Sequence, residues 1–174
     1  WVVDFIYILM WLGWGYTAFV IDAYARRILG WSVATTMTSQ LVVDAVDQAV
    51  WTRHREGKDL AGLVAHHDHG SQYLSVAYAE HRDAAGIKPS TGAVGSSFDN
   101  ALAESVIGLY KTELIKPRRP WKGFDALEIA TAEWVDWFHQ RRPFEYCDDL
   151  TPIEAEQAHY RHHQQGPATP EVSN

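Results

Sequence analysis

The 174-residue sequence predicts one α/β domain built on a mixed sheet, with helices on both faces. Three observations predict it. Three stretches rich in β-branched and aromatic residues follow one another on short connections within residues 1–34. Beyond them, helical apolar stripes alternate with short runs of strand length. The length suffices for one well-buried core, and 47% hydrophobic against 21% charged residues is the balance of a globular chain.

Residues 1–10, WVVDFIYILM, suit a buried strand with Asp4 near its start. The first twenty residues resemble a membrane span, but they carry Asp4, lack a basic flank and are broken by Gly13 and Gly15. Two strands joined by the WLGWG turn fit better, the second being GYTAFVID at 15–22. A third runs from Arg27 to Ala34, completing an antiparallel meander. No membrane partner is expected.

A helix follows, capped by Thr38 or Ser39, with Leu41, Val42, Ala45, Val46, Ala49 and Val50 as its apolar stripe and Gly57 just past its end. Leu60 to His67 reads as a short buried strand ending at Asp68, and Ser75 to Ala85 as a helix stopped by Gly86. Ile87 to Ser90 is a short strand whose Pro89 marks an edge or an end. Thr91 to Ser97, TGAVGSS, has the glycines of a mobile loop. Asp99 or Asn100 is expected to cap a helix reaching Ile115. KPRRPWKG is a basic linker, and a long helix spans Phe124 to His139. The folded core is expected over 1–160, with 161–174 a disordered polar tail.

The net charge of −7 and pI of about 5.7 argue, taken as sums, against a partner rich in phosphate. The distribution says otherwise. Lys111, Lys116, Arg118, Arg119 and Lys122 lie within twelve residues beside one acid, Glu113, and Arg141-Arg142 form a second basic pair. The lone cysteine, Cys147, forms no internal disulfide; it reads as a passive thiol in a reducing cytoplasm.

The stretch AHHDHGSQY, residues 65–73, sets one acid among three histidines. On a strand His67 and His69 share one face and His66 takes the other, so at most two could hold a metal together. Asp68 offers a different chemistry. If the first and fourth strands are neighbours, Asp4 and Asp68 meet at one edge, and Glu104 lies early on the helix after the glycine loop. Three carboxylates on rigid elements suit hard divalent cations.

Thirty-five residues separate Asp68 from Glu104. With VDF at the start, H-x-D-x-G-SQY in the middle and DNALAES before the helix, this chain resembles the integrase catalytic core of bacterial insertion-sequence transposases, in the retroviral-integrase superfamily. GLYKTELI, EWVDWFHQRRP and LTPIEAE extend the likeness to about Ala158. The resemblance implies a ribonuclease H-like fold and a D-D-E triad on Asp4, Asp68 and Glu104. It implies two divalent cations, Mg²⁺ or Mn²⁺, as cofactors for cleaving and joining DNA strands. The implied partners are DNA, as element ends and target, and further copies of the chain in a homo-oligomer on that DNA. The implied setting is the bacterial cytoplasm, at the nucleoid. The candidate DNA contacts are then Lys111, Lys116, Arg118, Arg119, Arg141 and Arg142, with His69 near the metal-bound phosphate. Ala101, Glu104, Ser105, Gly108 and Lys111 share one helical face, which aligns Lys111 with Glu104.

Family members carry a helix-turn-helix region before this core. Nothing here matches it, and the chain opens on Trp1, so a catalytic fragment is expected. Where the family often has Ser before the Arg pair at 26–27, this chain has Ala25, and Asp22 reads as a turn acid. Two other readings remain open: a ribonuclease H-like nuclease that cuts without joining, and an inactive remnant that only binds DNA.

Overall fold

A computed structural model describes residues 1–67, 76–90 and 96–164. The first thirty-four residues form the expected meander: β1 (Val2–Met10), β2 (Gly13–Ile21) and β3 (Ile28–Ala34), all antiparallel. β4 (Val64–His67) and β5 (Lys88–Ser90) add in parallel, giving a five-stranded sheet of order β3-β2-β1-β4-β5 among the described residues. The hairpin register is continuous from Val2↔Ile21 to Met10↔Gly13, so the turn is tight. Gly13 takes φ +118°, a conformation that L side chains rarely adopt.

Strand parity divides the molecule into two cores. Val2, Ile6, Ile8 and Met10 face one side, packed with α3 (Ser96–Leu109) and α4 (Phe124–Gln140). Val3, Ala18, Val20 and Leu29 face the other, under α1 (Ser39–Arg55) and α2 (Val76–Ala84). α1 lies so close to β3 that a Cβ on Gly30 would fall 1.9 Å from the Ala45 carbonyl oxygen. Only glycine fits there.

α3 runs directly into a π-helical turn, Tyr110–Ile115. Inside it the buried Tyr110 hydroxyl lies 2.6 Å from Thr131 Oγ1 of α4 and 3.5 Å from Thr17 Oγ1 of β2. Burial pushes that phenol up to about 12, so it stays protonated. Phe19, Tyr110, Trp134, Phe138 and Phe144 continue the cluster ring against ring. Trp121 closes it: its indole N–H donates to Ile115 O, and its carbonyl accepts Trp11 N–H, tying the linker to the end of β1.

Several boundaries differ from the sequence reading, among them β2, which starts at Gly13 rather than Gly15, and β4, which starts at Val64 rather than Leu60. α3 starts at Ser96, so Asp99 and Asn100 lie inside the helix rather than capping it; the TGAVGSS serines already belong to its first turn. α5 (Pro152–Gln164) carries the chain past residue 160 as helix. It is begun by a reciprocal cap, in which Thr151 N–H and Oγ1 donate to Glu154 and Glu154 N–H donates back to Thr151 Oγ1. Residues 165–174, the remainder of the expected tail, lie outside the described residues, as does the loop 91–95.

Asp22 is a turn acid, as expected. Its Oδ1 accepts from Tyr24 and Ala25 N–H, and its Oδ2 pairs with buried Arg53 at 2.9 Å. Arg53 also reaches Glu56 and Glu156, and Arg27 bridges the same two glutamates. Burial opposes charge on Glu56, but the two guanidiniums outweigh it and hold that carboxyl below the usual range. This network fastens α5 and α1 to the β2–β3 turn. Cys147 is buried, with its thiol pushed up chiefly by burial, which suits a packing role.

Candidate active site

Asp4 is the third residue of β1 and is half-buried. Its Oδ1 accepts the Phe5 N–H at 2.8 Å, which orients the carboxylate. Its parity is that of Val2 and Ile6, so it belongs to the sheet face covered by α3. α3 buries Leu102, Ala103, Val106 and Ile107 against that face. Glu104 sits beside this stripe and is exposed. Two of the three expected carboxylates therefore lie on one side of the sheet, on two elements packed against each other.

Asp68 and His69 lie outside the described residues. The strand leading to them is described. β4 runs parallel to β1 in the register Val2↔His66 and Val3↔His67, so the first and fourth strands are neighbours, as the convergence of Asp4 and Asp68 requires. The flanking histidines diverge. His66 Nδ1 lies 3.3 Å from Ser90 Oγ, whereas His67 packs edge-on against Tyr78 in the core under α1. On opposite faces of the sheet, these two cannot share one ion. Among the described residues no three His, Cys, Asp or Glu side chains gather closely enough to hold a metal. The donors that fit a hard divalent ion are carboxylates, and the third expected one, Asp68, lies outside the described residues.

The solvent side of α3 matches the expected face. Ala101, Glu104 and Lys111 are exposed, Ser105 and Gly108 half-buried, and Leu102, Val106 and Leu114 buried. Lys111 is the second residue of the π-helical turn. Neither periodicity nor propensity announces such a turn, in which the last ladder bond runs from Lys116 N–H to Lys111 O. Its consequence is visible in Glu113, the one acid of the basic stretch. Glu113 turns inward, accepting Trp134 Nε1–H at 3.1 Å and Arg142 Nε–H at 2.8 Å. Lys111, Lys116, Arg118, Arg119 and Lys122 stay exposed, so residues 111–122 show solvent their cations. Among the described residues Arg118 has only a 3.6 Å contact with exposed Glu133.

The two adjacent arginines differ. Arg141 is exposed. Arg142 is half-buried and committed to Glu113, to the Pro143 carbonyl at 3.0 Å and to the Phe144 ring. Glu113 as the anchor of Arg142 and Trp134 was not legible in the sequence, because its partners lie 21 and 29 positions away.

The comparisons with known proteins agree with this geometry. Two family models, both described as integrase core domain, match residues 1–97 and 85–152. The chain is 56% identical over 165 residues to a Mycobacterium tuberculosis protein named "Putative transposase for insertion sequence element IS986/IS6110", covering 94% of this chain and 59% of that protein. It is 46% identical over 160 residues to the transposase for insertion sequence element IS629 of Shigella sonnei, covering 92% and 52%. The chain thus spans little more than half the length of these curated relatives. Among solved structures, the catalytic core domain of HTLV-2 integrase in complex with magnesium superposes with a TM-score of 0.64 at 19% identity, covering 89% of this chain and 93% of that one. The catalytic core domain of BIV integrase gives 0.62 at 16%, covering 92% and 97%. The fold is the ribonuclease H-like one of these cores, as the sequence led us to expect. Among the described residues no helix is long and apolar enough to cross a membrane. With a family model matching more than half of its residues, this chain belongs to the integrase core domain family.

Proposed function

We propose that this chain is the catalytic core of a DNA transposase, cleaving a DNA strand and joining its 3′-hydroxyl to target DNA. The observation that carries the proposal is the pairing of β1 with β4. Val3 pairs with His67, the last residue of β4, and in the sequence Asp4 and Asp68 directly follow these two. α3 brings Glu104 to the same side of the sheet. In this reading Asp4, Asp68 and Glu104 hold two Mg²⁺ or Mn²⁺ ions. Such ions supply charge neutralisation on the attacking and leaving oxygens of an in-line phosphoryl transfer.

The chain's own residues then do three things. Asp4, fixed by the Phe5 N–H, presents an ordered carboxylate on a rigid strand. Glu104 approaches from the helix, and Lys111 on the same solvent side holds a phosphate of the DNA end. Lys116, Arg118, Arg119 and Arg141 extend that contact along the backbone, and His69 stands beside Asp68 in the chain. Arg142 serves a different purpose, holding the segment that bears Arg141. The relatives' names, transposases for insertion sequence elements, support DNA as the substrate. In this reading a homo-oligomer at the bacterial nucleoid binds the element ends and target.

The test is strand transfer run backwards. A branched DNA representing the joined product is incubated with Mg²⁺, and release and resealing are followed. The proposal expects resealed target strand. Asp4→Asn, Asp68→Asn and Glu104→Gln are each expected to lower the rate by at least about a thousandfold. Cutting without resealing would assign a nuclease instead, and binding without either reaction would assign an inactive remnant.

A further inference from the structure

We propose that His159 and His163, near the end of α5, form a two-histidine site for a divalent ion that favours nitrogen, Zn²⁺, Ni²⁺ or Cu²⁺. The site is separate from the carboxylate set and does not rest on its reading. Four positions apart on one helix, the two side chains share a face, and this is the spacing at which paired helical histidines take zinc. Their ring centroids lie 4.1 Å apart, with 37° between the planes. From one side of the helix a single ion reaches both rings.

Both rings are held in place. His163 Nδ1 lies 2.9 Å from the His159 carbonyl oxygen. A carbonyl only accepts, so Nδ1 carries the proton and Nε2 keeps its lone pair for a metal. A bond from the second ring nitrogen to a carbonyl is the support that metal-ligating histidines commonly have. His159 is half-buried and stands between His163 and Tyr24, whose ring centroid is 4.2 Å away. Tyr24 belongs to the turn between β2 and β3, and Arg27 and Arg53 tie that turn to Glu156, three residues before His159 on α5. The fold therefore positions the pair before an ion arrives.

The chemistry selects the ion. Neutral imidazole suits Zn²⁺, Ni²⁺ and Cu²⁺, whereas Mg²⁺ demands oxygen ligands. His162 stands apart from the pair: its ring lies 5.9 Å from that of His163 at 81°, and adjacent residues on a helix do not face each other. Among the described residues no third His, Cys, Asp or Glu completes the site, so its other positions take water or an outside donor. An ion held this way is exchangeable, and it fastens the last turn of α5 to the turn before it.

The test is calorimetric titration of the 174-residue chain with ZnCl₂ in excess Mg²⁺, which does not compete for imidazole. Saturable Zn²⁺ binding is expected, with a rise in melting temperature. His159→Ala and His163→Ala should each weaken binding at least about tenfold and remove that rise, with an unchanged circular dichroism spectrum. His162→Ala should behave like the parent. If either variant does not fold, Cu²⁺ on the parent chain provides the second reading, since its electron paramagnetic resonance spectrum should show coupling to two imidazole nitrogens. A chain that takes up no Zn²⁺ overturns the proposal. So does binding that survives the double variant His159→Ala/His163→Ala, an equal loss in His162→Ala, or a copper spectrum without the two nitrogens.

Discussion

Arg142 Nε donates to Glu113 Oε1 at 2.8 Å, joining the π-helical turn after α3 to the end of α4. Glu113 Oε2 simultaneously accepts Trp134 Nε1–H, so one carboxylate holds two elements. The side chains of Glu113 and Arg142 are 25% and 19% exposed, which protects the pair from full solvent screening. Arg142→Ala is expected to destabilise the fold by about 1–2 kcal/mol in urea unfolding, because it strands Glu113. Arg141→Ala should leave stability within about 0.5 kcal/mol while weakening DNA binding. Equal effects of the two on stability would contradict the assignment.

The exposed cations of residues 111–122 make a second prediction. A lysine that neutralises one phosphate contributes about one unit to the slope of log K against log salt. Lys111→Ala should flatten that slope by about one for a short duplex, and Lys111→Glu should weaken binding further, both without change in melting temperature. An unaltered slope would remove Lys111 from the interface.

A third prediction concerns pH. The Nε2 of His139 accepts the Ile28 N–H at 3.0 Å, and burial, aided by the charge of Arg27, pushes this imidazole down to about 3. The folded state keeps it neutral, while the unfolded chain takes up a proton near the ordinary value of about 6.5. The unfolded state therefore binds more protons between these two values, and stability falls as pH drops through that window. Above it His139 contributes no pH dependence. The expected slope from this residue is about 1.4 kcal/mol per pH unit. His139→Gln keeps an acceptor but does not titrate, so unfolding free energies measured from pH 7 to 4.5 should show a flatter profile.

Gly30 carries the fourth. A methyl group there meets the Ala45 carbonyl oxygen at 1.9 Å and Ala49 N at 2.8 Å, both backbone atoms that cannot swing aside. Gly30→Ala should cost roughly 3 kcal/mol or more by forcing α1 off the sheet. A melting temperature unchanged by the substitution would show that α1 can shift freely.

Much of this was legible in the sequence. The β-branched and aromatic content of WVVDFIYILM and GYTAFVID, with Asp4, no basic flank and the glycines at 13 and 15, was enough to read a hairpin rather than a membrane span. The stripe of Leu41, Val42, Ala45, Val46 and Ala49 read directly as the buried face of α1. The solvent face bearing Glu104 and Lys111 followed from helical spacing alone. What escaped was set by contacts distant in sequence. The inward turn of Glu113 depends on Arg142 and Trp134, and the neutral state of His139 depends on its burial and on the charge of Arg27, more than a hundred positions away. The start of α3 at Ser96 was misread because Asp99 and Asn100 are strong caps by residue type, whereas the helix begins before them. The exposure of Tyr7, Leu9 and Trp14 was hidden because both faces of that hairpin are apolar in the sequence.

The central claim is that Asp4, Asp68 and Glu104 form one metal-binding carboxylate set. The most direct measurement is a Mn²⁺ soak of crystals of this chain, read by anomalous scattering and repeated on Asp68→Asn. The account predicts a peak between the carboxylates of Asp4 and Asp68 that disappears in the variant. A peak at His66, His67 or His69 that survives Asp68→Asn would contradict it.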